Sequence, residues 1–207
     1  TDMSRYLPPL KEIVELVEVP QSIENAAGDV IPNPEKDMIN NYNKVIHALK
    51  KFSKDKYAGG KGLLSTMLQF SLSYLDKPYG ISPIKSPKTG AILTEPKSYS
   101  QYSSLDNLLS KEKRLIEIVN REQAEGRNLV IYAEFTGSPE TCVSYRLKAL
   151  LEKYCNLKDK VEIIESSYPA ASKREEWMHK KAEEGCRVFI TNPRNVETGL
   201  DFCFKRN

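Results

Sequence analysis

Three short segments are rich in the residue types that hold phosphates: FTGSPET from Phe135, SSYPAASKREE from Ser166 and TNPRNVETGLDF from Thr191. Hydroxyls and backbone N–H groups beside small residues suit anionic oxygens, above all where a helix starts. In the first segment Ser138 is placed to cap a helix, Pro139 to fill its first turn and Glu140 to meet its dipole, with Thr136 and Gly137 just ahead. Every helix needs a cap, so this segment alone supports capping before it supports binding. In the second, Arg174 stands near a helix start, where its charge opposes the dipole, and it needs another partner, an anion or an acidic neighbour. Trp177, three residues on, reads as core. In the third, Thr191 and Asn192 can donate to phosphate, and Gly199 permits a tight turn presenting Asp201.

Each segment follows a short apolar run: residues 128–135 (NLVIYAEF), 161–165 (VEIIE) and 187–191 (RVFIT). Apolar runs of this length, separated by helical periodicity and closed by turn residues, predict alternating strands and helices that build a parallel sheet covered on both faces. Ligands of such sheets gather at the carboxyl ends of the strands. Ahead of the first run, Ser110 reads as the N-cap of a helix with Leu115, Ile118 and Val119 as its stripe, ending at Gly126. The fold class is therefore α/β at residues 105–207, preceded at 1–104 by a mainly helical subdomain with a long linker.

In that first part, residues 6–19 alternate weakly and are read as a strand. Residues 34–54 are a helix, with Met38, Tyr42, Val45, Ile46, Leu49 and Phe52 at spacings of three and four and lysines in the last turn. The AGGKG at 58–62 is not a phosphate loop: Lys61 is followed by Gly62 instead of Ser or Thr, and no strand precedes it. Residues 63–75 predict a largely buried helix ending before Lys77-Pro78. Residues 79–104 read as a long link or a loose hairpin around Lys88-Thr89-Gly90.

Lys and Arg outnumber Asp and Glu by 31 to 28 in the 207 residues, a bias that permits a polyanionic partner without requiring one. Cys142, Cys155, Cys186 and Cys203 form no CxxC pair and the histidines are His47 and His179, which argues against structural zinc. Reduced cysteines used as small apolar residues, with no membrane-length apolar run and no leader, point to a cytoplasmic protein with no membrane partner. The chain runs from Thr1 to a point just after a strand and its loop, so it is expected to be part of a longer polypeptide.

Taken in order, SKEKRLIEIV, VIYAEFTG, SKREEW and EEGCRVFITNPRNVETGLDF resemble the second RecA-like domain of superfamily two helicases and translocases. VIYAEFTG stands at the place of the fourth motif. Thr191-Asn192-Pro193 and Thr198-Gly199-Leu200-Asp201 stand where DEAD-box members have Ala-Thr-Asp and Arg-Gly-Leu-Asp. YLPPLKEIVELVEV, the helix after Pro34 and LLSTMLQFSLSYLDKPYG resemble the elements that precede this domain in Swi/Snf-type DNA translocases. The resemblance implies ATP hydrolysis, with Mg, at a cleft shared with a first RecA-like domain of the same polypeptide. It implies stepping along DNA, with RNA as the other candidate. It places Thr136, Gly137, Thr191 and Asn192 on phosphates of the tracked strand, and Gly199 and Asp201 towards the nucleotide, Asp201 near the ribose. Arg174 would touch the nucleic-acid backbone or brace its helix.

Two departures bear on function. No Walker A or Walker B segment exists in the chain, and it ends before the place of the sixth motif, whose arginines stabilise the transferred phosphoryl, so the fragment alone is expected to be inactive as an ATPase. Thr198 replaces an arginine, which favours the rival reading of a non-catalytic nucleic-acid-binding or scaffolding module. A doubly wound domain for a small nucleotide-like ligand is a third reading, disfavoured because no GxGxxG turn follows a strand.

Overall fold

Asn33, Pro34 and Glu35 start the longest helix, α1 (Pro34–Lys54), and each does so for a local reason. Asn33 accepts the Glu35 N–H, Pro34 fills the first turn, and Glu35 and Asp37 meet the positive end of the dipole while Lys51 and Lys54 meet the negative end. The computed structural model describes residues 12–25, 27–134 and 141–196. Ahead of α1 a hairpin pairs β1 (Ser22–Glu24) with β2 (Val30–Pro32), Ile23 opposite Ile31. Asn25 closes its turn by accepting the N–H groups of Ala27 and Asp29. The strand expected at residues 6–19 is not found where it can be seen. Residues 12–20 form no strand, and residues 1–11 lie outside the described residues. Glu15 in this stretch is held by the Arg114 guanidinium at 2.9 Å, which fixes the segment by its side chain instead of by a ladder.

α2 (Leu63–Ser73) packs Leu63 and Phe70 inward, and Phe70 and Tyr74 stack with centroids 4.7 Å apart. The glycine turn before it is structural: Gly59 has φ of 146°, and a Cβ there would sit 3.0 Å from Leu63 Cγ and Pro87 Cδ. The expectation of a largely buried helix needs correction. Leu64, Leu68 and Leu72 form an exposed stripe, because α1 covers one side of α2 and no described element covers the other. The hairpin around Lys88-Thr89-Gly90 is present as β3 (Ile84–Lys85) paired with β4 (Ile92–Thr94), its turn closed by Ser86 Oγ accepting the Lys88 and Thr89 N–H groups.

α3 (Ser110–Ala124) starts one residue earlier than a serine cap would place it. Leu109 is the N-cap, its own N–H donating to Glu112 at 2.9 Å, and Ser110 is already helical. The Ser110 N–H donates instead to Glu35 Oε1 at 2.7 Å, so a carboxylate 75 residues away does the work of a cap side chain. Then come β5 (Leu129–Tyr132), α4 (Ser144–Tyr154), β6 (Val161–Ile164), α5 (Arg174–Glu183) and β7 (Val188–Thr191). The helix start expected at Ser138 lies outside the described residues, and α4 itself begins at Ser144 without a side-chain cap. α5 is preceded by a 3-10 turn at Ala171–Lys173.

The three strands form a parallel sheet in the order β5-β7-β6, with Ile131, Ile190 and Ile163 in register. Alternation assigns the faces. Leu129, Ile131, Val161, Ile163, Val188 and Ile190 pack against Leu115, Val119, Leu147 and Leu151 of α3 and α4. Ile164 and Phe189 point the other way, onto Trp177 and Met178 of α5. The observed fold is mixed α/β, a small three-stranded parallel sheet with helices on both faces. A separate apolar cluster, built on Met38, Val45, Leu49, Phe70, Tyr74, Tyr99, Tyr102 and Leu109, lies in the first half.

Polar contacts join the two clusters. Glu112 and Arg146, both under a tenth exposed, form a two-point ion pair at 2.6 and 3.0 Å. Arg146 also donates to the Ser104 and Asn107 carbonyls at 3.2 Å, and Tyr154 to the Leu105 carbonyl at 2.9 Å. Cys155 and Cys186 are buried, and burial pushes each thiol up to about 11. Among the described residues no helix is long and apolar enough to cross a membrane.

Candidate functional site

The carboxyl ends of β5, β6 and β7 lie side by side, and the loops that leave them hold the chemistry the sequence singled out. Since β7 stands between its two predecessors, its own exit loop reaches both neighbours. Asn192, just past β7, donates through Nδ2 to the Glu134 carbonyl beyond β5 and accepts the Arg194 N–H at 2.9 Å. Asn195 donates through Nδ2 to the Ile164 carbonyl at the end of β6, at 3.2 Å. These short polar side chains fix the rim of the sheet.

Arg174 does the same from below. Its guanidinium donates to the Pro169 carbonyl at 3.1 Å, to Asn195 at 2.7 Å, to Glu165 at 3.1 Å and to Ser166 at 3.0 Å. It therefore clamps the loop after β6 and ties it to the loop after β7, and its exposure is only 7%. No carboxylate of the described residues forms an ion pair with it. Arg174 sits at the first residue of α5 because the anion-like partners it needs are backbone carbonyls, whose negative ends converge there. Of the two roles the resemblance implies for it, the contacts present are those of a brace.

Thr191 is completely buried, with its hydroxyl 3.3 Å from the Ile164 carbonyl and 3.2 Å from the Asn192 carbonyl. It holds β7 to β6 and presents no hydroxyl to solvent. Asn192 is part exposed and Thr191 adjoins it, so the structure brings Arg174, Thr191 and Asn192 together at one edge. Thr136 and Gly137, Gly199 and Asp201 lie outside the described residues.

Two exposed cations at this edge were not singled out from the sequence. Lys173 precedes α5 and Arg194 follows β7, and neither has an ion-pair partner among the described residues. Lysine and arginine are too common for type alone to have marked them, and their place in a loop was the missing information. Glu134 and Glu165 stand at the same rim, the latter bonded by the Tyr145 hydroxyl, which raises the tyrosine's pKa.

No group of three His, Cys, Asp or Glu among the described residues could hold a metal ion. The residues the resemblance assigns to nucleotide are among those outside the description. The chain matches no protein-family model, no curated protein and no solved structure.

Proposed function

We propose that the carboxyl edge of the parallel sheet holds a nucleic-acid backbone, and that the chain is part of an ATP-dependent helicase or translocase of the Swi/Snf type. In this reading the sheet and its helices are the second RecA-like domain. The observation that carries the reading is Arg174, a buried cation with no carboxylate partner among the described residues, set beneath two loops that expose Lys173 and Arg194. Lys173, Arg174 and Arg194 favour an anion at a rim they share with the carboxylates Glu134 and Glu165, and backbone contacts of this kind position a strand without reading its sequence. Asn192 and the loop with Thr136 and Gly137 would complete the contact, with Thr191 holding them in place. Gly199 and Asp201 would face the nucleotide. ATP hydrolysis is assigned to a first RecA-like domain, because these 207 residues contain no Walker A or Walker B segment. The second reading, a non-catalytic binding module, draws on Thr198 in place of the family's arginine.

The test is fluorescence anisotropy of labelled DNA across a salt series. Arg194→Ala and Lys173→Ala are each expected to lower affinity for every sequence alike and to reduce the slope of log affinity against log salt by about 1. Binding that ignores salt, or affinities unmoved by either substitution, would overturn the reading.

A further inference from the structure

A cavity of about 270 Å³ lies between α2 and the segment at 80–85 that leads into β3, and no residue of the candidate site lines it. Thr66, Gln69, Phe70, Ser73, Tyr74 and Lys77 line it from α2 and the turn that follows. Their spacing of three and four puts them on one side of the helix, across from the exposed Leu64, Leu68 and Leu72. Ile81, Pro83, Ile84 and Lys85 line it from the next segment, and Thr141, ahead of α4, lines it from the sheet half.

This lining combines a firm apolar wall with cations. Phe70 belongs to the apolar cluster of the first half and stacks on Tyr74, and Ile81 and Ile84 pack against the same cluster. The Tyr74 hydroxyl donates to the Lys97 carbonyl at 2.7 Å, so Tyr74 offers the cavity only its ring. Lys77 lies over the Tyr79 ring, 5.7 Å from its centroid, and Lys85 has no ion-pair partner among the described residues. No described Asp or Glu lines the cavity. The two carboxylates that come closest to acting there are engaged elsewhere. Asp76 pairs with Lys111, and Asp37, whose charge acts on Tyr74, pairs with Lys97 and accepts the Tyr99 hydroxyl. Residues 44–97 carry ten lysines against three carboxylates, in a chain whose net charge is only +3, so the field over this part favours an anion. One polar atom of the lining residues is also unsatisfied: Thr141 Oγ1 is sealed from solvent and has no hydrogen-bond partner, which is rare for a buried hydroxyl.

We propose that this cavity binds a small organic carboxylate, its apolar body against Phe70, Ile81 and Ile84 and its carboxylate at Lys85 and Lys77. The volume lies just under the range of ligand pockets, which begins at about 300 Å³, and it suits a single-ring acid better than a nucleotide. A neutral ligand of the same shape gains the apolar wall and forgoes the lysines. Since the lining comes from α2 and from Thr141, an occupant touches both halves of the chain.

The experiment is a ligand-observed NMR titration of the full chain with phenylbutyrate, and with phenylbutyramide as its uncharged counterpart. Phenylbutyrate should bind with Kd of about 0.1–1 mM, and the amide about 5-fold more weakly. Lys85→Gln should weaken the acid about 3-fold and leave the amide unchanged. Thr66→Trp, which fills the cavity from a half-buried position on α2, should abolish binding of both. Gln69→Trp, exposed on the same side of the helix, carries that test if Thr66→Trp does not fold. Leu68→Glu, on the exposed stripe across the helix, should change neither affinity. Equal affinity for acid and amide would overturn the proposal, as would binding that survives the tryptophan variants or is lost in Leu68→Glu. Failure of phenylbutyrate to bind the wild type would overturn it outright.

Discussion

Arg146 and Arg174 are both buried arginines, 9 and 7% exposed, and their charges are met in different ways. Arg146 pairs with Glu112 and borrows carbonyls from Ser104 and Asn107, so its charge is cancelled by a carboxylate. Arg174 has four carbonyls and no carboxylate among the described residues, so its charge is solvated and not cancelled. A neutral pair fixes geometry and says little to a ligand. A solvated, uncancelled cation under a surface loop fixes geometry and also attracts anions. The same residue type therefore reads as architecture at one place and as part of a candidate site at the other.

The largest effect should come from breaking the pair. Glu112→Gln leaves Arg146 buried without its counter-charge, and a loss of roughly 3–5 kcal/mol in urea unfolding is expected. A loss below about 1 kcal/mol would mean that carbonyls alone suffice at both arginines, and the contrast would collapse. Arg174→Gln should cost less, roughly 2–3 kcal/mol, because it orphans carbonyls that lie near the surface and leaves no charge behind. It should also weaken nucleic-acid binding, whereas Glu112→Gln, measured where it remains folded, should not. Equal binding losses in the two variants would remove the distinction.

The smallest effect sharpens the joint side. Glu35 and Asp37, two residues apart in the first turn of α1, are driven in opposite directions. Burial raises the Glu35 carboxyl above its ordinary 4.5, against the Ser110 hydrogen bonds, while Lys97 and Tyr99 hydrogen bonds lower Asp37 below its ordinary 3.8. A raised carboxyl binds its proton more tightly in the folded chain. Its contribution is therefore present below pH 4.5 and lost as pH rises through the folded value. Asp37 contributes above pH 3.8, and that contribution is lost as pH falls through its lowered value. Glu35→Gln should thus gain on the wild type as pH rises above 4.5 in paired urea titrations. Parallel curves would show that Glu35 does not titrate in that window.

The parts legible in the sequence were those whose causes are local. α1 is bounded by Asn33, Pro34 and the terminal lysines, all within one turn of its ends, and the expected 34–54 agrees with Pro34–Lys54. The three strands of the sheet were legible because strands buried on both faces are apolar runs, and 161–165 and 187–191 differ from β6 and β7 by one residue at one end. The hairpin of β1 and β2 was missed because strands of three residues are too short for alternation to stand out. At the candidate site, Arg174, Thr191 and Asn192 were picked by type and position, and each lies at the edge expected of it. What each touches was not legible, since a carbonyl partner leaves no mark in composition.

The sequence by itself determined α1 and the three strands of the parallel sheet, and that the carboxyl ends of those strands would share an edge, because caps, periodicity and apolar runs act over a few residues. Only the tertiary structure decided that Leu109 caps α3 with Glu35 at the first turn, that one stripe of α2 is left uncovered, and that Thr191 is sealed while Lys173 and Arg194 are open. Each of these depends on which distant segments meet. Burial, solvation of a charge and exposure of a side chain are properties of that meeting and not of any residue alone.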